Sequence, residues 1–254
     1  MRVIVVTGTN TGVGKTVVTA ALAALIADRG FRVAVVKPCQ TGVAADEPGD
    51  LAEVARLTGL TDLHEYERYA EPLAPGTAAD RLGVDGMDSD LIAKRIAELA
   101  DRDVVFVEGS GGLFVHLNRF EDTLADVVGE LEQSFDVATL LVASAGLGTL
   151  NAASTAARAF DHELRGSFLG VVVGDWPAQP DLAARCNLAD LPKYAQAPLV
   201  GVVPMGAARL RRQIFLAMAR GALSPSLGGN FDAQDFIRRN SAPLPTRKAI
   251  HDRS

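Results

Sequence analysis

Residues 3 to 16, VIVVTGTNTGVGKT, pass from an apolar run through glycines and threonines to Gly14-Lys15-Thr16. A strand, a glycine-rich turn and a helix start form the arrangement in which successive backbone N–H groups and a helix N-terminus surround phosphate oxygens. In such a loop Gly12, Val13, Gly14 and Val17 present their backbone to the phosphates. Lys15 reaches the β- and γ-phosphates, and the Thr16 hydroxyl faces a Mg2+ ion. Five residues separate Gly8 from Gly14, one more than in the usual pattern, which points to a subclass.

A second lysine, Lys37, stands at the end of the apolar run VAVV, in VAVVKPCQTG. In a parallel sheet the carboxyl ends of the strands face the ligand crevice, so Lys37 should point toward the phosphates and offer charge to a transferring phosphoryl group. A solvated lysine at a strand end is the plainer alternative. VVFVEGSGG ends a third apolar run in Glu108, an oxygen ligand suited to Mg2+ beside Thr16, while Gly109 to Gly112 allow close backbone approach around Ser110. Cys39 has no histidine partner nearby and reads as a small packing residue. By spacing alone Asp50, in EPGDLAEVARL, reads as an N-cap.

The elements that must position these residues follow from the apolar pattern. Runs at 3–6, 33–36, 104–107, 140–143, 169–173 and 199–203 are nearly continuous, the mark of strands buried on both faces. Helix-like segments alternate with them: VVTAALAALIADRG, LIAKRIAELA, NAASTAARAF and ARLRRQIFLAMARG. This predicts an α/β chain with a mostly parallel central sheet and helices on both faces. No linker divides residues 1–220, which read as a single domain; residues 221–254 lose the rhythm, with one short helix expected over 231–239 and a frayed tail beyond Asn240.

Composition narrows the partners. A net charge of −6 over 254 residues disfavours a nucleic-acid surface and leaves small molecules as the expected partners. Two distant cysteines, Cys39 and Cys186, form no disulfide framework and suit a reducing cytoplasm, and no apolar leader opens the chain. Residues 137–157 carry no charged side chain, yet GLGTLNAAS within them suits a turn and a helix start better than a membrane span. His64, His116, His162 and His251 show no metal-ligand spacing. EGSGG lacks the first glycine of a hydrolase elbow, and a dinucleotide fingerprint would need a glycine at Phe114.

Taken in order, TGTNTGVGKT, KPCQTG, GD before a helix, VEGSGG, LGTLN and GVVP resemble the dethiobiotin synthetase family over residues 2 to 210. The resemblance implies a P-loop fold and an enzyme of biotin synthesis. One amine of 7,8-diaminononanoate captures CO2 as a carbamate, ATP phosphorylates it, and the second amine closes the ureido ring. It further implies that Lys15 and Lys37 stabilise developing charge, that Thr16, Asp50 and Glu108 hold Mg2+, and that Thr11 and Thr41 contact the diamine. The family acts as a homodimer in which a helix N-terminus of the other subunit, here Gly148, Thr149, Leu150 and Asn151, receives the substrate carboxylate; a plain N-cap is the alternative for Asn151. Gly174, Asp175, Pro204, Met205 and Gly206 fall where the family binds the nucleoside.

Three departures are minor: Thr41 for a common serine, Ser110 for a common alanine, and Ala152 for a common histidine. The sharper one is Gly174, where many members carry an asparagine that reads adenine. Glycine lacks that paired donor and acceptor, so ATP is expected to share the site with other nucleoside triphosphates. Two other readings are weaker. An amidotransferase-type synthase usually carries a glutamine-hydrolysing domain, and a nucleotide-switched interaction ATPase of the partition type carries a lysine where this chain has Asn10.

Overall fold

Seven parallel strands make one sheet in the computed structural model, which describes residues 1–243 and, of residues 161–163, the backbone alone. The first half of the chain runs β1 (Arg2–Gly8), α1 (Lys15–Asp28), β2 (Val33–Thr41), α2 (Asp50–Thr58), β3 (Leu63–Tyr69), α3 (Pro75–Leu82), α4 (Ser89–Ala97) and β4 (Val104–Glu108). It continues α5 (Leu124–Leu131), β5 (Asp136–Ala143), α6 (Thr149–Glu163), β6 (Ser167–Trp176), α7 (Leu182–Ala195), β7 (Leu199–Pro204), α8 (Arg212–Ala222) and α9 (Ala233–Asn240). The spatial order is β3-β2-β4-β1-β5-β6-β7.

Both faces of the sheet are covered, and this is why its strands are apolar without alternation. Val3 and Val5 pack with Ile92, Val127 and Leu188 beneath α4, α5 and α7; Ile4 and Val6 pack with Val18, Leu22 and Phe215 beneath α1 and α8. The register delivers chemistry to one edge of the central strands. Val6, two residues before the loop begins at Gly8, lies opposite Glu108 of β4 and Leu140 of β5.

The predicted α/β architecture and its six apolar strands are present, and the sheet is parallel throughout. The charge-free stretch 137–157 divides into β5 and the start of α6, and among the described residues no helix is long and apolar enough to cross a membrane. Strand β3, LHEYERY, was not anticipated: it is the sheet edge, half-exposed from Leu63 to Arg68, and carries no apolar run. The short C-terminal helix starts two residues later than expected, because Phe231 goes into the core and Asp232 becomes the cap, accepting the Asp235 N–H at 2.9 Å. Leu223, Leu227 and Phe231 tie the segment after α8 to the body, while the tail expected beyond Asn240 falls largely outside the described residues.

Candidate active site

The phosphate loop links β1 to α1, with Gly12 and Gly14 in the left-handed region at φ 76° and 92°. Gly14 caps α1 without a side chain, so the first helical N–H groups stay free to bind an anion. Lys15 Nζ donates to the Asn10 carbonyl at 3.0 Å. Burial first, and then the charge of Lys37, pulls the Lys15 ammonium down to about 8.

Lys37 is 3% exposed, which overturns the solvated alternative. It is also not at the end of its strand, since β2 runs on to Thr41. Its Nζ stands 2.6 Å from Asp50 Oδ2 and 2.9 Å from Glu108 Oε1, and it donates to the Gly109 carbonyl at 3.3 Å. Burial alone would lower its pKa, but the two carboxylates outweigh burial and raise it, so Lys37 is held as a cation.

Glu108 is fully buried at the end of β4. Its Oε1 accepts from Thr16 Oγ1 at 2.7 Å as well as from Lys37, whereas its Oε2 is buried with no hydrogen-bond partner among the described residues. Asp50 is not the N-cap of α2: Gly49 is, in an extended conformation, and Asp50 is the first helical residue. The Asp50 N–H donates to Gln40 Oε1 at 2.8 Å, so a side chain from β2 takes the place of the missing cap and leaves the Asp50 carboxylate for Lys37. Arg68 of the unanticipated edge strand steadies the preceding loop, donating to the Ala44 and Glu47 carbonyls at 2.8 and 2.7 Å.

These groups line one cavity of about 770 Å3. Thr11, Gly12, Gly14, Lys15, Thr16, Val17, Lys37, Thr41, Asp50, Glu108, Ser110 and Gly111 all reach it. Gln40, Val115 and the segment Pro72–Pro75 line it too and were missed; the only sequence signals were the place of Gln40 in KPCQTG and the paired prolines of EPLAP. Ser110 Oγ donates to the Cys39 carbonyl at 2.5 Å, joining β4 to β2. Cys39 itself is a buried packing residue whose thiol burial pushes up to about 12.

Other expected residues lie elsewhere. Gly109 and Val13 are buried behind the cavity wall, Gly109 through its carbonyl on Lys37. Gly174 backs the phosphate loop: a Cβ built there would lie 2.1 Å from the Val13 carbonyl oxygen. Asp175 is half-exposed, and Pro204, Met205 and Gly206 form an exposed turn after β7. Gly148 to Asn151 do not reach the cavity. Gly148 is the N-cap of α6, at φ 88°, so Asn151 is an exposed first-turn residue and not a cap. Thr149 is buried, and its Oγ1 has no hydrogen-bond partner among the described residues.

Residues 2–209 match the family model described as an AAA domain. The ATP-dependent dethiobiotin synthetase of Frankia casuarinae is 55% identical over 94% of this chain and 99% of its own. That of Streptomyces avermitilis is 51% identical over 93% and 98%. Among solved structures, the MinC:MinD cell division protein complex of Aquifex aeolicus aligns with a TM-score of 0.55 at 17% identity, over 97% of this chain and 99% of that one. A ParA family ATPase from Chlorobium tepidum aligns at 0.54 and 15%, over 89% and 96%, so these two share the fold. With relatives of this identity along nearly its whole length, and a phosphate loop opening onto a buried lysine between two carboxylates, the chain belongs to the ATP-dependent dethiobiotin synthetase family.

Proposed function

We propose that this chain makes dethiobiotin, the product that the names of its relatives give, and that it does so from 7,8-diaminononanoate, CO2 and a nucleoside triphosphate. The observation that carries the reading is the convergence of two buried lysines, Lys15 and Lys37, on one cavity with Thr16, Asp50 and Glu108. Carbamate formation and phosphoryl transfer both gather negative charge. Fixed cations in a poorly hydrated site stabilise such charge without reorganising.

In this reading Lys15 and the backbone of Gly12 to Val17 hold the triphosphate. Lys37, kept protonated by its carboxylate neighbours, faces the carbamate and the transferring phosphoryl group. Thr11 and Thr41 meet the diamine, and Pro72, Leu73 and Val115 offer an apolar wall to its methylene chain. A carbamate oxygen attacks the γ-phosphorus and the nucleoside diphosphate leaves; the second amine then attacks the carbonyl carbon of the carbamoyl phosphate, phosphate leaves, the nitrogen gives its proton to solvent and the ring closes.

A divalent cation fits the donor set. Thr16, Asp50 and Glu108 offer only oxygen, as Mg2+ requires, and Glu108 Oε2 is a buried acceptor with no partner. Mg2+ sites with few protein ligands are completed by phosphate and water. Bound there, Mg2+ would neutralise phosphate charge during transfer.

The N-terminus of α6 supports a homodimer. Gly148 to Asn151 lie outside the cavity, Leu147 beside them is 87% exposed, and buried Thr149 Oγ1 lacks a partner, which suits delivery of this turn to the substrate carboxylate in a second copy. The free state of Cys39 and Cys186 accords with a cytoplasmic enzyme. The test is mass-spectrometric detection of dethiobiotin with diamine, bicarbonate, Mg2+ and each triphosphate in turn. Product strictly dependent on the diamine supports the proposal, and triphosphate hydrolysis indifferent to diamine and bicarbonate overturns it.

A further inference from the structure

Between Val173 and Trp176 the pairing of β6 with β7 slips. Val173 stands opposite Val202 but Trp176 opposite Pro204, so β6 carries one residue more than β7 over the same interval. Such a bulge bends its strand and re-aims the residues within it, and bulges recur beside functional sites. The residues inside are Gly174, seated on the phosphate loop, and half-exposed Asp175. The two strands meet once more at Trp176, the last residue of β6, whose carbonyl accepts the Met205 N–H at 2.8 Å. The bulge and the exposed turn Pro204–Gly206 therefore share one anchor.

Trp176 is the chain's single tryptophan and is 8% exposed. Its ring meets Phe236 of α9 edge-on, with centroids 5.7 Å apart and an interplanar angle of 76°, and Phe236 stands 5.4 Å from Phe231. Edge-to-face contacts constrain ring orientation as well as burying area. The far end of α9 is held by Arg185 of α7, which donates to the Asn240 carbonyl at 3.2 Å. An element remote in sequence from the phosphate loop thus bears directly on the residue that ends the bulge.

We propose that Phe236 is a positioning residue for the nucleoside end of the triphosphate site, acting through Trp176 on the Gly174–Asp175 bulge and the Pro204–Gly206 turn. This rests on the reading, implied by the family resemblance, that the nucleoside lies at Gly174, Asp175 and Pro204–Gly206. Two observations favour that side. Gly14 touches Gly174, so β6 ends against the phosphate loop, while the opposite side of the loop is taken up by Lys37, Asp50 and Glu108. A residue that holds a wall without touching the ligand alters recognition of the part lying against that wall and spares the rest.

The experiment compares calorimetric titrations of the full chain with ATP, CTP and inorganic tripolyphosphate, each with Mg2+. Tripolyphosphate reads the phosphate loop alone. Phe236→Ala is expected to weaken ATP and CTP about tenfold, the scale of a poorly filled pocket, and to leave tripolyphosphate within about twofold. Phe236→Leu, which keeps the bulk and guards against a folding defect, should fall between Phe236→Ala and the unaltered chain. In the unaltered chain Trp176 emission should respond to nucleotide and not to tripolyphosphate. Equal losses for all three ligands in both variants would mean that α9 serves stability alone, and would overturn the proposal. An Asp175→Ala/Met205→Ala variant separates the levels. If it weakens nucleotide binding and Phe236→Ala does not, the positioning role fails while the site reading stands; if neither does, the site reading fails and takes the inference with it.

Discussion

Gly14 and Gly174 pack backbone against backbone: a methyl group built on Gly14 would lie 2.4 Å from the Gly174 carbonyl oxygen. The reverse approach is tighter still, since a Cβ on Gly174 would lie 2.1 Å from the Val13 carbonyl and 2.6 Å from Val142 Cγ1. The sequence presents Gly174 as the loss of an adenine-reading side chain. The fold adds that β6 here has no room for any side chain unless the phosphate loop moves.

Both facts bear on nucleotide selectivity. With no amide at position 174, CTP, GTP and UTP should compete with ATP, and a preference for ATP above about a hundredfold in kcat/KM, roughly 3 kcal/mol, would refute relaxed selectivity. Gly174→Asn should not restore adenine selectivity. It should lower kcat/KM for every triphosphate, because its Cβ displaces the loop at Val13. Recovery of ATP preference with undiminished turnover would show that the loop yields freely.

Lys37 serves charge stabilisation and structure together, and the two can be separated. Lys37→Gln should lower turnover at least about a hundredfold while triphosphate binding persists. It should also lower the melting temperature, because Glu108 is left fully buried without its cation, a loss on the order of 3 kcal/mol. In the Lys37→Gln/Glu108→Gln double variant the buried charge is gone, so stability should recover and turnover should not. Thermal denaturation beside single-turnover kinetics checks this; an active Lys37→Gln enzyme would remove Lys37 from its assigned role.

Lys15 sets a pH dependence. Burial, and then the charge of Lys37, hold its ammonium down to about 8, against 10.5 for an ordinary lysine. Between those values the unfolded chain binds more protons, so the contribution of this group to stability rises as pH climbs from about 8 toward 10.5 and is unfavourable below 8. A bound triphosphate favours the ammonium. Binding above pH 8 must therefore take up a proton, and affinity should fall as pH rises through about 8. Calorimetry in buffers of different ionisation enthalpy measures the uptake directly, and an affinity unchanged between about pH 7 and 9.5 would contradict it. Lys15→Arg, which cannot deprotonate there, should flatten the profile.

The fold was legible where physics writes itself locally. Strands buried on both faces need continuous apolar runs, and six of these were visible. Strand β3 has its polar side chains at a half-exposed edge, where Glu65 and Arg68 pair with each other, so LHEYERY carries no such signal. The phosphate loop is likewise local, strand, turn and helix in order. Asp50, Gln40 and Pro72–Pro75 acquire their places only from how β2, β3 and α2 meet. From spacing Asp50 could be read only as a cap, because the side chain that relieves it of that task, Gln40, approaches from another element.

Asn187 braces the turn before α6. It is buried on α7, and its Nδ2 donates to the Ala145 carbonyl at 2.9 Å and the Gly146 carbonyl at 2.8 Å, holding the turn that leads into α6. If the N-terminus of α6 receives the substrate carboxylate, this clamp fixes the N–H groups that do so. Asn187→Asp keeps the shape but replaces two donated hydrogen bonds with a carboxylate against two carbonyl oxygens, so the turn must shift or the acid must be protonated. The KM for the diamine should rise about tenfold, near 1.4 kcal/mol, with the KM for the triphosphate unchanged, because the phosphate loop lies on other strands. A substrate lacking the carboxylate should react equally with Asn187→Asp and the unaltered enzyme. If the variant instead discriminates against both substrates alike, the turn matters to folding and the carboxylate is bound elsewhere.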